Sequence, residues 1–228
     1  MAARSGFQKK RRKRTLTMAR TTDIRVPRRM LGIAAATPLR STVTLSTCYL
    51  RTCVHGSENQ YWSFVMNNAY DPFATDSSAQ PRGFNEMAAL YSRYYVTSVK
   101  IIIKVYNRHT SEAAHVGFVA TAGQEPTDTV PYRIGELPNS VNQIALANQQ
   151  NVCRFQKSIV IKDIYGAWDV GDFSTVTASN TSPAKKVYGR VFCATADGSG
   201  GVDSVFHLCM HQKITFFDRK PLTAKDHA

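Results

Sequence analysis

The sequence has no long apolar run and none of the short motifs that mark common cofactor-binding or zinc-protease classes. No stretch approaches the roughly 18–20 apolar residues that span a bilayer, so we expect no membrane insertion. GxGxxG, a P-loop and HExxH are all missing from the sequence. The glycine-rich stretch 198–201 has neither a Lys-Ser/Thr pair nor a following helix start, which a phosphate-binding loop requires. The sequence therefore predicts no cofactor.

Cysteine is sparse and poorly spaced for a metal or redox site. The five cysteines are an odd number without a CxxC pair. We therefore expect buried, reduced thiols and no bound metal. They are Cys48, Cys53, Cys153, Cys193 and Cys209.

One set of potential metal ligands alternates along a predicted strand and so shares one face: His207, Cys209 and His211. Their β-carbons are expected about 7 Å apart at each step, which is far for a single tetrahedral ion unless the strand bends strongly. We therefore interpret them as a polar, partner-facing surface of a sheet rather than as a metal site.

Acidic residues are nearly absent from the first thirty positions. Asp23 is the only acid there, against eleven of the 29 Lys and Arg in the chain. Residues 1–30 therefore carry a formal +10 of the total +13. This asymmetry predicts a polyanionic partner, because the remaining residues carry only +3. The eleven cations are Arg4, Lys9, Lys10, Arg11, Arg12, Lys13, Arg14, Arg20, Arg25, Arg28 and Arg29.

Residues 1–36 are predicted to form a disordered basic arm. Six consecutive cations at 9–14 repel one another, and almost nothing nearby is apolar enough to fold them into a core. Three roles remain open for the arm: binding the phosphates of a nucleic acid, nuclear localisation through the cations at 9–14, and simple solvation. The first is favoured, and it is compatible with the second. Such an arm binds phosphate without reading sequence and binds more weakly as salt rises.

Residues 37–228 are predicted to form one β domain. In the segment 95–107 the β-branched residues Val99, Ile101, Ile103 and Val105 alternate with other residues, which is typical of a strand with one face on a core. The prolines and glycine of 123–138 indicate a long connection with at most short helical turns. Strand patterns also occur at 40–54, 60–69, 114–122, 152–164, 173–176, 186–196 and 202–217.

One helix is predicted between the second and third strands. Phe84, Met87, Ala88, Tyr91 and Tyr95 recur at steps of three and four residues. Eight strands with little helix fit an all-β, eight-stranded jelly roll, in which two four-stranded antiparallel sheets pack together.

The polar faces of the third and last strands carry a second candidate contact with phosphate. Lys100, Lys104 and Lys213 lie at positions of opposite parity to the predicted core residues. Because these two strands share a sheet in a jelly roll, their cations are expected on one face. An ordinary solvated surface is an equal alternative. Tyr106, on the same face, is a candidate for stacking on a single-stranded base.

A basic arm followed by an eight-stranded β domain resembles the capsid proteins of small circular, Rep-encoding single-stranded DNA viruses, the circovirus-like group. It also resembles the single jelly-roll coats of small RNA viruses. The segment 81–96, PRGFNEMAALYSRYYV, is similar to the Tyr-rich helix and strand entry of those DNA-virus coats.

The resemblance implies a structural protein rather than an enzyme. It implies a homo-oligomeric icosahedral shell of 60 copies or a multiple, with the arms inside against the viral genomic nucleic acid. Single-stranded DNA is favoured over RNA. The implied locations are the virion and the host nucleus, and a host nuclear import receptor is an implied partner.

Two other functions remain open. One is a non-structural nucleic-acid-binding protein, such as a silencing suppressor or a movement protein. The other is a jelly-roll enzyme or lectin whose arm is only an address signal. An enzyme would need converging site residues, which the sequence does not reveal. Asp169 and Asp172 flank Gly171 and fit turn chemistry better than acid–base catalysis.

Overall fold

The computed structural model describes residues 38–56, 59–73, 80–126, 131–148, 152–166, 169–177, 182–198 and 200–220. No helix within these ranges is long and apolar enough to cross a membrane. The strands are β1 Arg40–Cys53, β2 Gln60–Val65, β3 Tyr91–Asn107, β4 Ala114–Ala122, β5 Val141–Ala145, β6 Cys153–Val160, β7 Thr175–Val176, β8 Val187–Thr195 and β9 Ser204–Arg219. The helices are α1 Phe84–Leu90, α2 Pro131–Glu136, α3 Ile161–Tyr165 and α4 Val170–Phe173.

The strands pair as an antiparallel ribbon that is rolled on itself. β1 pairs with β9, β2 with β8, β3 with β6 and β4 with β5. Successive pairs alternate between two sheets, of order β1-β9-β3-β6 and β2-β8-β4-β5. The two-residue β7 adds to β3 at the edge of the first sheet. This is the topology of an eight-stranded jelly roll, so the predicted fold class is confirmed.

The core lies where the alternating pattern of the long strands predicts it. Val99, Ile101 and Ile103 of β3 are each 1% exposed, and Met210 of β9, directly opposite Ile101, is fully buried. Apolar side chains from both sheets interdigitate there, which removes them from water and stabilises the sandwich. The β3 and β9 residues of opposite parity consequently form the outer face of the first sheet.

Helix α1 packs on the edge of this core through Phe84. Its buried ring lies 5.1 Å from the ring of Tyr94 and 5.7 Å from that of Phe216, centroid to centroid. The helix is shorter than the apolar pattern to Tyr95 predicts and ends at Leu90. Tyr91 begins β3 because its backbone pairs with Arg219 of β9, and sheet pairing takes precedence over the helical period.

Two strand predictions need correction. β5 lies beyond the predicted connection 123–138, in a segment for which no strand was predicted. Its side chains at Asn142, Gln143 and Ile144 are exposed, so an edge strand of this kind has no clear apolar alternation. The predicted strand 173–176 is β7 alone, since Phe173 ends α4. The eight strands of the jelly roll therefore include β5 in place of that segment.

Strand ends and short helices also differ from the prediction. β2 ends at Val65 rather than at 69, and β6 ends at Val160 rather than at 164, because α3 begins at Ile161. The short helices α3 and α4 were not predicted, whereas α2 is the kind of helical turn expected in the 123–138 connection. α3 ends at Gly166, which adopts a left-handed conformation (φ 70°) that closes a helix.

The expectation of five buried, reduced thiols is wrong for three of the five cysteines. Cys48 and Cys209 face each other across β1 and β9 and form a disulfide on the outer side of the sheet. Cys153 is a partly exposed free thiol. Cys53 and Cys193 are the buried free thiols. The hydrogen bond between them, together with burial, raises the pKa of the Cys53 thiol.

Candidate nucleic-acid interface

The eleven arm cations predicted to bind phosphate all lie in residues 1–30, outside the described residues. Their assignment to nucleic-acid binding and nuclear localisation stays a prediction. The structure does describe the three other predicted phosphate-binding cations, Lys100, Lys104 and Lys213.

The register of the first sheet brings the predicted cations of β3 together with one that was not predicted. Lys104 lies directly opposite Arg154 of β6, and Lys100, four residues earlier on β3, lies opposite Ser158. Side chains at such opposed positions have β-carbons about 4.5–5.5 Å apart. Arg154 was missed because only the strand pairing, and not its own sequence, identifies its neighbour. We name Lys100, Lys104, Arg154 and Lys213 the basic sheet face.

Lys213 extends the basic sheet face onto β9. It lies opposite Ser98 of β3 and Thr44 of β1, and its side chain is exposed. The residues between it and Lys104 on this surface include His211, opposite Lys100, and His207, opposite Lys104. The prediction that the outer faces of the third and last strands join in one sheet is therefore confirmed.

Charge on this sheet is almost entirely positive. Within the described strands of both sheets, Asp218 near the end of β9 is the only acidic residue. The described part of the structure contains no ion pair to any member of the basic sheet face. Neighbouring unpaired cations repel one another, and a polyanion that lies across them relieves this repulsion.

The opposite sheet carries no comparable surface. Its one strand cation is Arg190 of β8, only 4% exposed. Arg190 donates to Ser63 at 3.0 Å and to Glu125 at 3.2 Å, and its guanidinium lies 4.4 Å from the ring centroid of Tyr61. The hydrogen bond from Ser63, helped by Arg190, holds the pKa of the Glu125 carboxyl below its ordinary value despite partial burial. Arg190 is thus a structural cation.

An exposed aromatic ring accompanies the basic sheet face. Tyr106 lies two residues beyond Lys104 on β3, on the same face, and is 46% exposed. An exposed ring beside cations matches the arrangement by which proteins stack single-stranded bases while holding the backbone. The prediction that the Tyr106 ring is exposed is confirmed, and its stacking role stays a prediction.

Among the residues that the structure describes, two groups of side chains could hold a metal. Cys48, His207 and Cys209 lie on the outer side of the first sheet, and His55, His109 and Glu112 lie in loops at one end of the strands. His207 Nε2 lies 3.6 Å from Cys209 Sγ, closer than the spacing along one strand predicts. His211 is not part of this group, and its Nδ1 is hydrogen-bonded to Ser46 Oγ at 2.6 Å.

The aspartates considered for acid–base chemistry have structural partners. Asp169 accepts a hydrogen bond from the Gly171 backbone N–H at 2.8 Å and caps α4. Asp172 forms an ion pair with Lys185 at 2.6 Å. The turn role predicted for this segment is confirmed.

No protein-family model matches the chain, and no curated protein sequence matches it. Solved structures do resemble it. The tobacco necrosis virus structure has a TM-score of 0.47 at 11% identity and covers 79% of this chain and 98% of that one. A virus-like particle of the nodavirus of the prawn Macrobrachium rosenbergii has a TM-score of 0.45 at 11% identity, and the match covers 83% of this chain and 100% of that one. The turnip yellow mosaic virus structure has a TM-score of 0.43 at 11% identity, and the match covers 85% of this chain and 90% of that one. These three structures come from viruses or a virus-like particle. The resemblance of segment 81–96 to circovirus-like coats stays a prediction.

Proposed function

We propose that the chain is a viral capsid subunit, which assembles into a closed icosahedral shell and packages a single-stranded genome through its basic arm. The observation that carries the proposal is the segregation of charge. A jelly-roll domain whose strand cations, except the buried Arg190, lie on one sheet is joined to thirty residues of net charge +10. A structural role of this kind requires no catalytic residues.

The physical basis of packaging is the release of counterions. Each arm cation that lies beside a phosphate frees a condensed cation from the nucleic acid, which makes binding strong at low salt and independent of sequence. Sixty arms bring about 600 positive charges, so the arms neutralise a substantial part of a small genome and small cations neutralise the rest. Without the polyanion, the arms of neighbouring subunits repel one another.

The basic sheet face supplies a second and weaker contact with the genome. Its four cations are fixed on strands, whereas six adjacent charges in the arm act as a flexible polycation. Tyr106 adds an exposed ring on which an unpaired base can stack. The exposed ring favours a single-stranded over a double-stranded genome, because the bases of a duplex are already stacked on one another.

The finer assignments rest on the resemblance of segment 81–96. It favours single-stranded DNA over RNA, and a DNA genome copied in the nucleus requires entry of the subunit into that compartment. The cations at 9–14 then act as a nuclear localisation signal for a host import receptor. The proposed locations are the virion and the host nucleus.

Particles purified from an expression host test the proposal. We expect uniform closed shells in electron micrographs, built from 60 subunits or a multiple, and an absorbance ratio at 260 and 280 nm that shows packaged nucleic acid. Digestion of the extracted nucleic acid with DNase or RNase identifies its type. Monomers that bind oligonucleotides in a salt-sensitive way without forming shells would instead indicate a non-structural nucleic-acid-binding protein.

A further inference from the structure

The outer side of the β1–β9 pair carries a cluster of potential metal ligands that the proposed function does not use. Cys48 of β1 lies opposite Cys209 of β9, with their Cα atoms 4.1 Å apart. His207 precedes Cys209 by two residues and points to the same face, with Nε2 3.6 Å from Cys209 Sγ. One ligand atom from each of the three lies within 4.8 Å of the others.

We propose that this trio binds one Zn²⁺ when the Cys48–Cys209 disulfide is reduced. Two thiolates and an imidazole are the donors that Zn²⁺ prefers, with Zn–S near 2.3 Å and Zn–N near 2.0–2.1 Å. A tetrahedral ion with these bond lengths separates S and N by about 3.6 Å, which is the Cys209–His207 distance observed. The imidazole is therefore already at the spacing that the ion requires.

The second thiolate reaches the ion by a small movement. Tetrahedral geometry separates two sulfur ligands by about 3.8 Å. Breaking the disulfide allows this separation by rotation of the Cys48 side chain, which is exposed on edge strand β1. The side chains opposite Cys209 and His207 on β3 are Ile102 and Lys104, neither of which supplies an acidic ligand. Water therefore takes the fourth position.

The oxidised and metal-bound states exclude each other. A dithiol reductant supplies two electrons and two protons to the disulfide, becomes a cyclic disulfide itself and leaves two cysteine thiols. Zn²⁺ then displaces both thiol protons, which are released to solvent. Either way β1 and β9 are cross-linked, by a covalent bond in an oxidising medium and by the metal in a reducing one.

Cobalt binding to the full chain tests this site. The protein is reduced with a phosphine, freed of reductant under anaerobic conditions, and titrated with Co²⁺ and then with Zn²⁺. We expect one equivalent of Co²⁺ to give a thiolate-to-cobalt charge-transfer band, which Zn²⁺ abolishes. The oxidised protein is expected to give no such band.

Matched variants locate the ligands. Cys48→Ser and His207→Gln should each weaken Co²⁺ binding at least about tenfold, and Cys48→Ser should also reduce the charge-transfer intensity. Cys153→Ser is the thiol control, since Cys153 is a free thiol on β6 whose Sγ contacts Gln143 at 3.0 Å. His109→Gln removes the other metal-binding candidate, whose imidazoles and carboxylate cannot produce a thiolate band. Both controls should bind as the wild type does.

The proposal fails if the reduced wild type shows no charge-transfer band, if Cys48→Ser keeps the full wild-type intensity and affinity, or if the band disappears in Cys153→Ser. His207→Gln keeps all five cysteines, so an unchanged affinity in that variant removes His207 from the site even if the cysteine variants fold poorly. Far-ultraviolet circular dichroism of each variant confirms that the β domain is intact. None of these results depends on whether the chain forms shells.

Discussion

At the scale of single residues, Arg190 illustrates how the jelly roll accommodates a buried charge. Its guanidinium is almost fully enclosed and is satisfied by Ser63, by Glu125 and by the face of Tyr61. A buried cation that loses its carboxylate partner keeps its desolvation penalty without the compensating attraction. The side chain of Glu125 is half exposed, however, so solvent screens part of the interaction.

Glu125→Gln should therefore lower the free energy of unfolding by about 1–2 kcal/mol at pH 7. The pKa of Glu125 is depressed in the folded protein, so its stabilising contribution is present above the ordinary value of 4.5 and disappears as the pH falls through the depressed value. The difference between variant and wild type should accordingly shrink in acid. Urea unfolding between pH 3 and pH 7 measures it.

Glu136→Gln is the matched control, because Glu136 is exposed on α2 and no ion pair of Glu136 occurs among the described residues. It should change stability by less than about 0.5 kcal/mol at either pH. A Glu125→Gln effect that is the same at pH 3 and pH 7 would contradict the ion-pair explanation.

From the sequence, the face on which a residue lies could be predicted within a single strand, but its neighbours on other strands could not. Parity within β3 and β9 placed Lys100, Lys104 and Lys213 correctly on the outer face. Arg154 and Cys48 belong to their sites only through pairing with Lys104 and Cys209. Pairing between strands far apart in sequence depends on the whole fold, so no local pattern indicated either one.

At the scale of elements, the long two-faced strands were predictable, whereas the polar strand β5 was missed and the extent of the short β7 was overestimated. β3 and β9 bury every second residue over most of their length, and this gives a strong period of two. β5 has one buried residue, Ala145, at its end, and β7 has only two residues. Such strands form because a longer neighbouring strand offers backbone hydrogen-bonding groups. Their own sequence therefore does not reveal them, since the pairing depends on the tertiary structure.

Gly117 in the middle of β4 permits the close approach of a neighbouring side chain. A β-carbon at this position would overlap the ring of Phe192 and lie 2.8 Å from the carbonyl oxygen of Val141. Gly117→Ala should therefore lower the free energy of unfolding by about 1–3 kcal/mol, as measured in denaturant. Gly56→Ala is the control, since a β-carbon there meets nothing within 4 Å. Equal stability of both variants would contradict this packing explanation.

The basic sheet face makes a prediction at the level of the sheet. Replacing Lys100, Lys104 and Lys213 together by Gln should weaken binding of single-stranded oligonucleotides. It should also reduce the slope of log K against log salt by about 2, because each phosphate contact on a single strand contributes roughly 0.7. Fluorescence anisotropy at several salt concentrations measures both quantities.

The control for that experiment removes the same charge elsewhere. Arg82, Arg108 and Lys162 are exposed, lie outside the basic sheet face, and have no ion pair within the described part of the chain. Their triple Gln variant should leave the salt slope within about 0.5 of the wild type. Equal losses in the two triple variants would mean that net charge alone, and not the basic sheet face, determines binding.

At the scale of the whole molecule, the division between basic arm and β domain predicts separable roles. Deleting residues 1–30 removes a net +10 while leaving every described strand intact. The truncated protein should fold and still form shells, because the sheets do not include the deleted residues. The shells should contain little nucleic acid, which lowers the absorbance ratio at 260 and 280 nm.

A second variant separates charge from chain length. Replacing the six cations at 9–14 by Gln should also reduce packaging, whereas replacing only the arginines among them by Lys should preserve it, since counterion release depends on charge. Filled shells from the truncated protein would disprove packaging by the arm. Loss of folding on truncation would disprove the division of the chain at about residue 36.

The pairing of β1 with β9 also bears on how the protein is made. About 150 residues separate Cys53 from its partner Ser204, which at 5–20 residues per second corresponds to roughly 8–30 s of synthesis. Throughout that interval β1 has no neighbour in its sheet, and its hydrogen-bonding edge is open to other nascent chains. β1 can therefore pair with β9 only after almost the whole domain has been synthesised. Chaperone capacity in the host is expected to limit the yield of soluble subunits.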